Sequence, residues 1–336
     1  MKFGLSGCGA GLEAVAPERL GEYAQWAERL GFEALWINEE HFQKPSGGSG
    51  RLCLSPVVLA AVLAAGTSRI RLGFSVLLLP LHHPIRLAEE IATLDVLCGG
   101  RVDVGISRGG NPSYSEAYGL DPQEGRTRFD EDLDLVLRCW TEDEVPIGKS
   151  RYCILPKPMQ RPHPPLYIGT YSEDRARWAA RAGHQLIQHG IQSMANVQRM
   201  VRAFGDEGGK VHEIPVGRFL YVSESDADAA HELTPVIERL TGRLKQARIP
   251  ERPGTLTIDD LEPERFLREM VIAGGPDTCA QRLAELRGLL GIDYVNCLSS
   301  FFGFLPADHL RRSLMLLSRE VMPRMSTHQP GAANPT

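Results

Sequence analysis

The chain has 336 residues, 43% of them hydrophobic and 24% charged, with a formal net charge of -5. That charge and the lack of any basic run exclude nucleic acid or an anionic membrane surface as the main partner. The length and apolar content suffice for two average domains or one large α/β barrel.

Strand and helix signals alternate from the start. Lys2–Ser6 reads as a strand, Pro17–Leu30 as a helix with Pro at its first turn and Gly31 as its stop, and Ala34–Ile37 as a second strand. Helix Ser55–Ala65, strand Ile70–Leu78, helix Pro84–Leu97 closed by Gly99-Gly100, strand Val102–Ile106 and a helix from Arg126 to Trp140 follow. Residues 145–162 break the rhythm as a short, Pro-rich inserted hairpin or loop. It resumes with strand Leu166–Gly169, helix Glu173–Ala182, strand His184–Ile187, helix Ser193–Glu207, strand Val216–Val222 and helix Asp226–Leu244. Helix Pro276–Leu290, strand Tyr294–Leu298 and helix Pro306–Val321 complete the series. Eight β/α units predict a closed TIM (β/α)8 barrel with insertions over an open doubly wound sheet. Arg248–Gly275 is an insertion, rich in Pro and mixed charge, that reads as a substrate lid or a solvated connection. Residues 327–336 read as a polar, Pro-rich, disordered tail.

The seven cysteines (Cys8, Cys53, Cys98, Cys139, Cys153, Cys279, Cys297) are scattered without a C-x-x-C pair, so neither a disulfide framework nor a zinc site is indicated. No apolar leader and no run near the ~20 residues of a membrane span stand out. A cytoplasmic protein is expected.

Ligands of parallel α/β proteins bind at the C-terminal ends of the strands. There, Arg108 follows strand VDVGIS and precedes Gly109-Gly110, a cation beside exposed amides that suits a phosphate. The same arginine can instead cap a turn or pair with a surface carboxylate. Tyr171, Ser172 and Arg175 lie where strand PLYIG runs into a helix, an anion site or a plain N-cap. Glu39-Glu40-His41-Phe42 ends strand ALWIN and offers acid–base groups, unless Glu39 merely pairs with an arginine in the barrel mouth. His82-His83-Pro84 opens a helix at the same face; His83 can orient a ligand ring or cap the helix, and the spacing does not suit a metal. Gly7-Cys8-Gly9-Ala10-Gly11 lacks the third glycine of a dinucleotide loop, since position 12 is Leu12, and reads as a flexible first loop.

Taken together, LWINEEHF, SRIRLG, LPLHHPIRLAEEIATLDVLCGGRVDVGISRGG and PLYIGTYSEDRARWAARAG resemble the bacterial luciferase-like flavin monooxygenases, and the likeness spans residues 1–325. It implies one barrel domain over residues 1–326 with a mobile lid at 248–275. It implies reduced FMN as cofactor, with a reduced deazaflavin as the alternative. Arg108, Gly109, Tyr171, Ser172 and Arg175 would hold the phosphate. Phe74, Ser75 and Val76 would back the isoalloxazine, where the family often carries a β-bulge with an unusual cis peptide. Glu40, His41 and His83 are the candidates for setting the proton balance of a C4a-peroxyflavin formed with O2, which would oxygenate a small organic substrate.

Two departures matter. Luciferases read Glu-His-His-Phe here, so Glu40 stands where their catalytic histidine does, and a carboxylate base needs a pKa raised by its surroundings. Ser107 occupies the position of the reactive cysteine of light-emitting members, which argues against light emission. With no second nucleotide domain, reduced flavin would come from a separate NAD(P)H-dependent flavin reductase. The resemblance also implies a homodimer, for which apolar helix Ser55–Ala65 is a candidate surface. A deazaflavin-dependent dehydrogenase or reductase, and a non-catalytic flavin-binding protein, are the competing readings.

Overall fold

The computed structural model describes residues 1–8, 16–42, 54–121, 125–251 and 254–326. Loop residues 9–12 of the glycine-rich first turn and the tail 327–336 lie outside them.

The strands are β1 (Lys2–Cys8), β2 (Ala34–Ile37), β3 (Arg71–Phe74), β4 (Leu77–Leu78), β5 (Val102–Ser107), the hairpin β6 (Val145–Ile147) and β7 (Ser150–Tyr152), β8 (Leu166–Gly169), β9 (Gln185–Ile187), β10 (Val216–Val222), β11 (Val271–Gly274) and β12 (Tyr294–Cys297). The helices are α1 (Leu20–Arg29), α2 (Pro56–Ala65), α3 (Pro84–Leu97), α4 (Pro112–Ala117), α5 (Gly125–Thr141), α6 (Glu173–Arg181), α7 (Met194–Gly205), α8 (Asp226–Gln246), α9 (Pro263–Met270), α10 (Pro276–Leu290), α11 (Ala307–Leu316) and α12 (Met322–Ser326), the last two joined by a π-helical segment.

The parallel strands run β10-β12-β1-β2-β3-β5-β8-β9. A bridge between Gln188 and Val216 brings β9 back to β10, with Gly217 N–H donating to the Gln188 carbonyl at 2.8 Å. The ring is therefore closed, and the expected barrel is the observed one. Period-two alternation separates its two faces. Leu35, Ile37, Leu72, Phe74, Val104 and Ile106 face the helices in the large apolar layer. Ala34, Trp36, Ile187 and Tyr294 form a separate inner cluster, against which Tyr167 and Val76 pack.

Trp36 fills the base of the barrel. Its indole N–H donates to Tyr294 Oη at 3.0 Å, and its ring meets Tyr167 edge-on at 5.2 Å. Beside it Arg71 Nε and Nη2 fork onto the two oxygens of Asp103, each at 2.7 Å. Burial pushes the Asp103 carboxyl up, and the Arg71 fork opposes that shift. The floor is thus packed and hydrogen-bonded, leaving the C-terminal end for a ligand.

β3 does not run through to β4. The chain is interrupted at Ser75–Val76, which is a cis peptide, before Leu77 and Leu78 rejoin β5. Residues 248–275 hold more regular structure than expected. Pro263 starts α9, which turns Phe266 and Met270 into the core, and β11 pairs with the upper half of β10 from Phe219 to Val222. Pro at a first helical turn and a four-residue apolar strand read from sequence as a break.

Candidate active site

Four strand ends meet around one mouth. β2 delivers Asn38, Glu39, Glu40 and His41, β4 leads through a short 3-10 turn to His82, β5 delivers Arg108 and Gly109, and β8 delivers Tyr171 and Ser172. The register Ile106↔Ile168 sets the last two loops side by side.

Glu39 is the centre of the acid–base group. Its side chain is 1% exposed, and its carboxylate accepts from the Leu78 N–H at 2.5 Å, from His82 Nε2 at 2.9 and 3.0 Å, and from His41 Nε2 at 3.0 Å. The arginine partner considered for Glu39 is replaced by two histidines. His41 is further enclosed by α4, which sequence reading missed. Tyr114 Oη accepts the His41 backbone N–H at 3.2 Å, Tyr118 Oη lies 3.0 Å from His41 Nδ1, and both phenol rings pack on the imidazole with centroids 5.1 Å away. Asn111 starts α4 by accepting the Ser113 N–H, so the helix hangs directly from the Arg108–Gly110 loop.

His83, a candidate from sequence, does not join this group. It is exposed at the N-cap of α3, while His82 takes the inward position. Both residues have extended backbone, His82 at φ -111°, ψ 151° and His83 at φ -77°, ψ 123°, so their side chains leave on opposite sides. Glu40 is half-buried beside Glu39.

The phosphate candidates divide. Arg108 is exposed at the end of β5, and Gly109 adopts φ +76°, a conformation that strains any other residue, while its N–H donates to Ser107 Oγ at 3.1 Å. Tyr171 and Ser172 are exposed on the neighbouring loop, and no side chain caps the α6 N-terminus at Ser172. Arg175 is engaged elsewhere: Nη2 donates to Asp130 Oδ1 at 2.5 Å, and the guanidinium stacks 3.6 Å from the Trp178 ring centroid and 4.7 Å from that of Phe129. It braces α6 against α5.

The wall between these groups is the interrupted strand. Phe74 contributes backbone only, because its ring is fully buried in the outer layer in register with Ile37. Ser75 N–H donates to the Ile37 carbonyl at 2.8 Å, and Val76 reaches into the inner cluster. Gly105 makes room for this path, since a Cβ there would lie 2.0 Å from the Phe74 carbonyl oxygen. Asn38 Oδ1, Asn296 Oδ1 and Ser299 Oγ are buried at the ends of β2 and β12 without a hydrogen-bond partner. His189, past β9, accepts the Ile191 N–H at Nδ1, and burial holds its imidazole neutral with a pKa of about 4. The insertion returns to the mouth at Gly254, whose carbonyl accepts from Asn196 Nδ2 at 2.9 Å and whose backbone lies against Tyr171.

A basic, glycine-bearing loop, orphan oxygens able to accept from a heterocyclic N–H, and a histidine–carboxylate group suit a phosphorylated flavin. The family model for luciferase-like monooxygenases matches residues 3–293. The chain belongs to the luciferase-like monooxygenase family, and as such it is an oxidoreductase. It is 30% identical over 318 residues to the uncharacterized protein y4wF of Sinorhizobium fredii, covering 90% of both chains. Over 223 residues it is 28% identical to the oxygenase component of the flavin-dependent trigonelline monooxygenase of Acinetobacter baylyi, covering 62% of this chain and 60% of that one. Among solved structures, monooxygenase RslO1 from Streptomyces bottropensis superposes with a TM-score of 0.78 at 27% identity, covering 96% of this chain and 99% of the other. A coenzyme F420-dependent tetrahydromethanopterin reductase from Methanopyrus kandleri shares the fold alone, at TM-score 0.69 and 20% identity over 96% of this chain and 99% of its own.

Among the described residues no helix is long and apolar enough to cross a membrane. Among the described residues Cys98, Cys139, Cys153, Cys279 and Cys297 are free thiols.

Proposed function

We propose that this chain is the oxygenase component of a two-component flavin-dependent monooxygenase that uses reduced FMN and O2 to oxygenate a small organic substrate. The observation that carries the reading is the convergence of the Arg108–Gly109 loop, the Tyr171–Ser172 loop and the Glu39–His41–His82 group on one mouth, divided by the Ser75–Val76 wall. Reduced FMN, when bound, supplies the electrons that activate oxygen. Arg108, the Gly109 and Gly110 amides, Tyr171, Ser172 and the α6 N-terminus hold its phosphate. Ser75 and Val76 back the ring. His41, with Glu40 at its side, holds and moves the proton. The insertion, anchored through Gly254 on Tyr171, acts as the lid that keeps water from the mouth.

The trigonelline relative is named as an oxygenase component, which supports delivery of reduced FMN by a separate NAD(P)H-dependent flavin reductase. The protein works as a homodimer in the cytoplasm. Support for the dimer comes from α2, ten uncharged residues on which Val58, Ala61, Val62 and Ala65 form an exposed stripe at helical spacing, bordered by Leu97 of α3 and by Leu155. A helix apolar all round belongs in an interface, and two alanines four residues apart admit close helix packing.

Anaerobic titration with reduced FMN and, in parallel, reduced F420 tests the cofactor. Tight binding of reduced FMN with little of F420 is expected. Preference for F420 would make the protein a hydride-transfer dehydrogenase or reductase. Binding of neither would remove the phosphate assignment of Arg108.

A further inference from the structure

We propose that Tyr118 is the terminal group of a proton relay, Tyr118–His41–Glu39, with His82 as the second imidazole that fixes the carboxylate. In the relay Glu39 accepts from both imidazoles, with hydrogens on Nε2 of His41 and on Nε2 of His82. The acid–base capacity of His41 is therefore directed to Nδ1, which faces the Tyr118 hydroxyl at 3.0 Å. Glu39 is buried, whereas Tyr118 is 46% exposed, so the chain of groups runs from the protein interior to the mouth and its phenol is the end that meets a ligand or solvent. The geometry is that of a hydroxyl backed by an oriented imidazole and a carboxylate.

In the donating direction, Tyr118 O–H breaks as a proton passes to an oxyanion at the mouth, the His41 Nδ1–H proton passes to the phenol oxygen, and His41 is left as its neutral Nε2–H form. In the accepting direction the same two protons move in reverse and the imidazolium faces Glu39. Glu39 and His82 are positioning residues, since they act through His41. Tyr114 has a mechanical part: it accepts the His41 backbone N–H and packs on the ring, so α4 and its C-cap residue Tyr118 set both phenols against one imidazole.

The proton path stands on geometry alone, and only its use in oxygen chemistry rests on the flavin reading above. Two measurements separate them. In 15N-histidine NMR of the protein without flavin, His41 is expected with hydrogen on Nε2 and a hydrogen-bonded Nδ1, and Tyr118→Phe is expected to shift the Nδ1 resonance while leaving Nε2 on Glu39. Phe keeps the ring contact, so folding is preserved. With reduced FMN bound, reoxidation by O2 in Tyr118→Phe is expected to slow at least about tenfold, with loss of the solvent deuterium isotope effect. A neutral His41 in the wild type with its hydrogen on Nδ1 and none on Nε2, or a Tyr118→Phe variant with unchanged His41 resonances, overturns the relay. An unchanged reoxidation rate and isotope effect in the variant overturns its use by bound flavin. Failure of FMN to bind refutes the cofactor assignment and leaves the NMR result to decide the relay.

Discussion

Gly105→Ala tests how closely the interrupted strand approaches β5. In the native barrel an added Cβ at Gly105 would sit 2.0 Å from the Phe74 carbonyl oxygen and 3.2 Å from Val76 Cγ1. The obstructing atom is backbone, so no side-chain rotation relieves it, and one strand has to give way by roughly 1 Å. Over-packing of this kind costs about 3 kcal/mol, the upper part of the usual range. For a chain of this length that corresponds to a fall in Tm of about 4 °C. Gly110→Ala is the control, because nothing lies within 4 Å of a Cβ there and its backbone is in an ordinary region. Differential scanning calorimetry of both variants at one protein concentration and scan rate makes the comparison. Gly105→Ala is also expected to weaken reduced-FMN binding, since the Ser75–Val76 wall moves. A Gly105→Ala protein melting within about 1 °C of wild type refutes the close approach.

Glu28→Gln reports on the tie between α1 and β3. Burial works against the Glu28 charge, but the Ser68, Arg69 and Ile70 N–H groups donate to its carboxylate at 2.7 to 3.0 Å and hold its pKa down to about 2. A depressed folded-state pKa stabilises above the ordinary value of 4.5 and loses that contribution as pH falls toward 2. Urea melts should show Glu28→Gln weaker by about 1–2 kcal/mol at pH 7 after allowing for solvent screening, with the gap narrowing on acidification. Arg108→Ala should weaken reduced-FMN binding roughly 10- to 100-fold in an anaerobic titration, the worth of one charge-assisted phosphate contact. Val62→Glu places a charge in the α2 stripe and should convert a dimer to monomer in sedimentation velocity with little loss of helix by circular dichroism.

Much of the barrel was legible because its strands are buried on both faces and read as short apolar runs between helices. Ala34–Ile37 and Val216–Val222 have the expected limits, and helices opened by proline, such as Pro84–Leu97 and Pro276–Leu290, start where Pro84 and Pro276 stand. What sequence could not supply was direction and distance. His82 and His83 are adjacent, and only backbone dihedrals decide that His82 faces Glu39. Arg175 stands at a helix start suited to an anion, yet its partner Asp130 lies 45 residues earlier on α5. Tyr114 and Tyr118 reach His41 across more than seventy residues, through a six-residue helix too short to show periodicity. One local signal was available: Asn111-Pro112 is a capped helix start, directly after the glycines.

The most direct test of the central claim is stopped-flow mixing of the anaerobic protein–reduced FMN complex with O2, followed at the flavin absorbance band. Reoxidation is expected in two phases through a species distinct from reduced and oxidised flavin, slower than for free flavin because the mouth excludes water. A single phase at the rate of free reduced FMN would contradict it.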